Sequence, residues 1–421
     1  MVGDGTLYGG GGSGGGGGGR AAMPFALPRD APGAVTTVLS VLQGAHSVGA
    51  GVLGYLTTRE ARALRLVSHE CREAVAAARW LDAETHITGS LVAWRACFPG
   101  AVAANVAQRR DLRDADCAHL ADVKVLNMFN CPEITDAGLA HLAGVKVLNV
   151  GSCTGISDAG LAHLAGIQTL DISKDSSGQG PQITDAGLAH LAGIRTLKLA
   201  YCFNITDAGV GHLTGIHSLS LRRCDLISDA GIAHLAGIHT LDMSGCTRVT
   251  DSGLARLAGV HTLSAAYCNG LTDAGMAHLR GVCSLDLAYC AGVTDAGLAH
   301  LEGFIHTLNI EGCPGITNSG LSRLAGIHTL RVAHFHGLSE PGLAHLAGIR
   351  SLNMDGCARI TDAGLAHLSG IRTLSMRWCR RITTAGIARL RGIYALNIEG
   401  CTGVASADLV RSLTGVRTLE M

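Results

Sequence analysis

Three residue types recur in this chain where they could do chemistry: cysteine, histidine and aspartate. Eleven cysteines, at 131, 153, 202, 224, 246, 268, 290, 313, 357, 379 and 401, hold one place in a repeating phrase. Histidine precedes a leucine at 119, 141, 163, 190, 212, 234, 278, 300, 345 and 367, and a second set stands at 217, 239, 261, 306 and 328. Thiols and imidazoles in register could hold a metal, and imidazoles could sense pH near neutrality. No Cys-x-x-Cys pair occurs, which argues against zinc. Arginine replaces the first histidine at 256, 323 and 389, which fits a solvated flank better than a ligand set. The repeats contain no Gly-x-Ser-x-Gly, and the chain has no His-Glu-x-x-His and no P-loop. A catalytic group would have to break the repeated phrase.

Composition narrows the field further. Lys plus Arg equals Asp plus Glu at 33 each, so net charge gives no general reason to expect nucleic acid or an anionic membrane. Aromatic residues are 4%, so the core must be aliphatic. The glycine-rich start, residues 1–26, reads as a disordered tail and has neither the basic nor the apolar part of a secretory signal. Reduced thiols in the cytoplasm or nucleus follow as the expectation. Residues 31–58 carry no Asp, Glu, Lys or Arg, a length that could span a bilayer. Gln43, His46 and several Gly, Ser and Thr favour a helical region outside the membrane.

What positions these residues is a repeat. A leucine recurs at 126, 148, 170, 197, 219, 241, 263, 285, 308, 330, 352, 374, 396 and 419, mostly 22 apart. A period of this length means stacked units, each unable to bury its apolar face alone. In the unit from Ile238 to Val260, Leu241 and Met243 alternate with Asp242 as in a short strand, and Cys246 turns inward after it. Thr250 is placed to cap a helix, Asp251 to sit in its first turn, and Gly259 to end it.

The phrase Leu-x-x-Leu-x-Leu-x-x-Cys resembles the cysteine-containing leucine-rich repeats of F-box and leucine-rich repeat proteins. The resemblance implies an α/β fold: a leucine-rich-repeat solenoid, or horseshoe, over 98–421, with a parallel concave sheet and short convex helices. Residues 27–97 are read as a small helical F-box-like region. Tyr55-Leu56, the run Leu64–Ser68, Cys71-Arg72, Ala74-Val75 and Trp80 carry that likeness. Leu27-Pro28, the nearest match to the motif's opening signature, stands far upstream.

The resemblance implies an adaptor that does no chemistry and needs no cofactor or metal. The F-box-like region, with Leu53, Leu56, Leu64, Leu66, Val67, Val75 and Trp80 as packing or contact residues, would hold a Skp-type linker and through it a cullin–RING ubiquitin ligase. The chain would be a monomeric subunit with no nucleic-acid or membrane partner. A protein substrate would meet the repeat positions that vary. These are Phe129, Lys198, Tyr201, Arg222, Arg223, Asp242, Tyr267, Asp286, Tyr289, Glu311, Arg331, His334, Asp355, Arg377, Trp378 and Glu399. Arg, Tyr and Trp are the usual anchors of interfaces. The inserted loop Ser173–Gln182 should project beside them. Other readings stay open: a repeat scaffold whose N-terminal helices merely cap the core, and a membrane-tethered sensor using residues 31–58.

Overall fold

Fifteen short strands stack in chain order into one parallel sheet, from β1 (Ala103–Asn105) through β7 (Thr240–Asp242) to β15 (Thr418–Glu420). The computed structural model describes residues 57–66, 69–404 and 416–420. Each strand pairs only three residues, always without stagger: Ser218↔Thr240, Leu219↔Leu241, Ser220↔Asp242. The sheet stays open, and a short helical turn returns the chain behind it in each unit.

The alternation read from the sequence sets the core. Leu241, Met243 and Cys246 are fully buried, as are Val249, Leu254 and Leu257 on the returning arm. Aliphatic columns of this kind, continued from unit to unit, form the interior. The helices are shorter than the repeat suggests, a single α-turn such as Asp251–Leu254. Thr250 caps it by accepting from the Ser252 N–H. Gly259 leaves it at φ 84°, the left-handed geometry only glycine adopts cheaply.

One bond pair repeats along the whole stack. The carboxylate of Asp229 accepts from the backbone N–H of Thr250 at 2.7 Å and from its hydroxyl at 2.6 Å. The helix-start aspartate of one unit thus holds the helix cap of the next. Ten aspartates from Asp114 to Asp362 make this rung. Asn318 and Glu340 substitute at two junctions, reaching Ser339 and Thr361. The rung also explains the glycine three places after each cap residue that an aspartate holds. A Cβ on Gly253 would lie 2.5 Å from Asp229 Oδ1.

The cysteines make a second ladder. Each of the eleven points its thiol at a backbone carbonyl 25 to 30 residues earlier, as Cys246 does to Leu221 O at 3.1 Å. It is a small donor inside an apolar turn.

Three helices close the N-terminal end: α1 (Thr58–Leu64), α2 (His69–Ala77) and α3 (Leu91–Cys97). Thr57 and Glu60 form a reciprocal capping box at the start of α1. Trp80 packs edge-on against Phe98 at 5.4 Å, donates its indole N–H to Val75 O, and bridges to Ala101 beside β1. Asp82 accepts from Thr58 of α1 and from the Thr85 and Glu84 amides. No helix among the described residues is long and apolar enough to cross a membrane. The glycine tail, Leu53, Leu56, Val67 and nearly all of the 31–58 stretch lie outside the described residues.

Asp229→Ala should destabilise the solenoid by about 1–3 kcal/mol, because it leaves Thr250 donors without their acceptor. Gly253→Ala should also destabilise, and less so when Asp229 is already alanine; a urea-unfolding double-mutant cycle measures the difference. A second expectation concerns acid. Partial burial raises the Asp82 carboxyl, but hydrogen bonds from Thr85 and Thr58 outweigh it and hold it at about 2. The ionised group therefore supports the fold above about pH 4, and that support fades as pH falls toward 2. Asp82→Asn should flatten this part of the acid-unfolding curve followed by tryptophan fluorescence.

Candidate protein-interaction surface

The strand positions that face away from the core form the concave surface, and the structure divides the sequence candidates on it into three kinds. The first kind is spent on the chain itself. Asp242 and Asp286 fold back to accept the amides of Ser244 and Ala288, two residues on. Asp355 accepts from the Ser375 hydroxyl at 2.6 Å and the Arg377 amide at 2.8 Å. The second kind links neighbouring units: Lys198 with Asp171 at 3.6 Å, Arg331 with Glu311 at 3.6 Å, and Arg377 with Glu399 at 2.5 Å.

The third kind remains open to a partner. Phe129 is exposed, and the Arg222 side chain makes no ion pair or hydrogen bond among the described residues. Tyr201, Arg223, Tyr267, Tyr289, His334 and Trp378 all occupy one backbone position, just before the ladder cysteine or, for His334, before Phe335 in its place. All six have left-handed φ values, between 58° and 62°. Glycine fills the same position at Gly245, Gly312, Gly356 and Gly400. A bulky side chain there costs about 1–2 kcal/mol that glycine avoids. Strain of this kind concentrates at working surfaces.

These side chains lean toward the following unit. Tyr289 lies over Gly312, His334 over Gly356 and Trp378 over Gly400, each where a Cβ would collide. Tyr267 and Tyr289 stack with centroids 4.7 Å apart and planes 8° from parallel. The Arg223 guanidinium covers the outer face of that stack, 5.6 Å from the Tyr267 centroid. Burial and the Glu311 carboxylate, to which its hydroxyl donates, push Tyr289 up to about 12. The result is a cationic–aromatic ridge along the rim. Phe203, 40% exposed and edge-on to Tyr201 at 6.4 Å, belongs to it and escaped the sequence reading. Its signal was an aromatic residue directly after a ladder cysteine. The inserted loop is ordered by Asp175, which accepts from the amides of Ser177 and Gln179, and Phe203 rests against its Gly178.

The N-terminal helices form a second surface. Leu64, Val75 and Trp80 are buried and pack the cap, whereas Leu66 is 84% exposed. Leu81 and Val92, farther along the N-terminal region, are exposed as well. A cleft of about 380 Å³ is lined by Arg59 and Arg62 of α1 and by Ile87, Trp94, Cys97 and Phe98.

The histidine places carry no metal geometry: among the described residues, no group of three or more His, Cys, Asp or Glu could hold an ion. Of the cysteines described, none forms a disulfide. Burial pushes the ladder thiols up, to about 12 at Cys153, Cys202, Cys290, Cys357 and Cys379.

A model of the leucine-rich repeat matches residues 238–258. The fold is that of a leucine-rich-repeat solenoid. Among solved structures, the yeast complex of Rad7 and Elc1 is similar at a TM-score of 0.51 and 16% identity, covering 91% of this chain and 97% of that one. An internalin from Listeria monocytogenes aligns at a TM-score of 0.37 and 16% identity, over 87% of this chain and 95% of that one. No curated protein matches the chain in sequence.

Accessibility and thiol acidity together set a chemical expectation for these repeats. Among the described cysteines, the partly exposed Cys97 and Cys283 should alkylate first in native protein, and the ladder cysteines only after unfolding. Mass mapping of iodoacetamide labelling against urea concentration reads this directly; labelling of the ladder in native protein would contradict it.

Proposed function

We propose that the chain is a substrate-recognition adaptor of a cullin–RING ubiquitin ligase. The helical N-terminal region binds a Skp-type linker, and the concave ridge binds the protein to be modified. Catalysis is left to the ligase; the adaptor contributes proximity, which raises the effective concentration of the substrate. The observation that carries the reading is the apolar surface left on a cap whose own core is already closed. Leu66, at 84% exposure, stands free while Leu64 and Val75 on either side are buried. The F-box-like residue order before the repeats supports the assignment. For the substrate side, the support is a ridge of strained Tyr, Arg and Trp residues, the side chains that anchor interfaces.

A scaffold reading is favoured by a different observation. Trp80, Phe98 and Arg95 tie the N-terminal helices to the first repeat, with Arg95 Nε donating to His119 O at 2.8 Å. A solenoid needs such a cap whether or not it binds a linker. In that reading the ridge binds a protein partner with no link to ubiquitin.

The two readings separate in a calorimetric titration of the full-length protein with a Skp-type linker. Saturable binding lost in Leu66→Asp, with unchanged thermal unfolding, is the expected result. Substitution at so exposed a site should leave the solenoid intact. No binding by the folded wild-type chain would leave the scaffold reading standing alone.

A further inference from the structure

We infer that the edge of the solenoid where the strands begin is a docking face for an anionic lipid bilayer, and that it strengthens as pH falls. The backbone builds this face. The residue two places before each strand leucine donates its N–H to the carbonyl of its counterpart one unit back. His217 donates to Arg195, His239 to His217, His261 to His239 and Cys283 to His261, at 2.9–3.2 Å. The chain of bonds is unbroken from Lys124 to Arg417. Because the strands pair without stagger, these residues form one straight column.

Its sequence is ordered by charge. Lys124, Lys146 and Arg195 stand at one end, and Arg350, Arg372 and Arg417 at the other. His217, His239, His261, His306 and His328 fill the middle, with Gln168, Cys283 and Tyr394 as the uncharged members. The column contains no acidic residue. His217, His239 and His261 stack at 4.7 Å, and His306 lies 5.1 Å from His328. The Nδ1 atoms of His239 and His261 face the hydroxyls of Thr240 and Thr262.

A second basic column runs beside it at the helix ends, where His234 and its counterparts alternate with Arg256, Arg323 and Arg389. Small residues separate the columns in several units, as Ala236 and Gly237 do between His234 and His239, and Arg280 and Arg391 add cations between them in two others. The acids on this edge are Asp122, whose charge acts on Arg95, and Glu302, which Arg323 pairs at 3.4 Å. The repeated aspartates are at the opposite end of the helices, bound to the next cap. On the concave side, Asp242 and Asp286 fold onto their own backbone, and Asp171 pairs with Lys198. A chain of zero net charge therefore presents a face on which cations outnumber acids.

The chemistry of this face selects the partner. The stacked imidazoles close their faces on one another, so they offer no platform for bases. Cations spread along one edge match the headgroup layer of an anionic bilayer, where each adds about fivefold to binding. Near neutral pH the fixed cations of the first column form two separate segments. Acid protonates imidazole side chains and so adds cations between those segments.

The test is co-sedimentation of the full chain with vesicles containing about 30 mol% phosphatidylserine, at about pH 7.5 and about pH 5.5. Vesicles of phosphatidylcholine alone serve as the control. Binding to the anionic vesicles should rise at least about tenfold in acid, and the control should bind neither way. Replacing His217, His239, His261, His306 and His328 together by Gln should remove most of that rise and leave binding at neutral pH unchanged. Arg350→Gln with Arg372→Gln should weaken binding at both pH values, by about 25-fold. All these sites are on the surface, and thermal unfolding checks that each variant is folded. Binding insensitive to pH, a rise untouched by the histidine substitutions, or tighter binding to a single-stranded oligonucleotide than to vesicles would each overturn the proposal.

Discussion

A carboxylate in one unit gripping the helix cap of the next is the contact on which the rest of this solenoid depends. It satisfies two donors at the exposed start of a helix too short to hold itself. A single α-turn has almost no cooperative stability of its own. The rung from Asp229 to Thr250 gives that turn a fixed neighbour, and the neighbour is fixed by the rung after it. Glycine three places after the cap is the steric condition for this closeness. Aspartate, threonine and glycine in the repeated phrase are thus one device, and the cysteine thiol, bonded to a carbonyl of the previous unit, is its counterpart at the strand end.

The same device shapes what the surface can offer. Most of the acids are consumed in holding units together, and others fold onto the backbone of the concave strands. Some basic side chains, Lys198, Arg331 and Arg377 among them, share that duty, but others and most of the rim aromatics do not. They remain on the rim, where Arg223, Tyr267 and Tyr289 stack into one ridge, and along the strand-entry edge, where lysine, arginine and histidine line up. Charge that balances in the composition is separated in space, and the separation follows from where hydrogen bonds are needed.

The ridge shows how a constant frame carries variable content. One backbone position per unit must turn left-handed to bring the cysteine inward. Glycine meets that need without strain at Gly245, Gly312, Gly356 and Gly400. Tyrosine, arginine, histidine and tryptophan meet it at a cost, offset in part by stacking on the neighbouring unit. Each glycine makes room for the side chain before it, so the two kinds of unit are complementary.

The sequence by itself determined the spacing of the units, the buried columns, the helix cap at Thr250 and the glycine exit at Gly259. Each follows from the 22-residue period or from local backbone chemistry, which a linear pattern records. It also marked Tyr267, Arg222 and Trp378 as departures from the frame. Only the tertiary structure decided which departures are free. Lys198, Arg331 and Arg377 are paired across units, and Asp242 and Asp286 are turned back on their own chain. These outcomes depend on side-chain reach between residues about 22 apart, and on the side to which each side chain leans. The aspartate was read as serving its own helix, because a helix dipole is a local effect. Its actual partner is one unit away, and stacking alone brings that partner within reach.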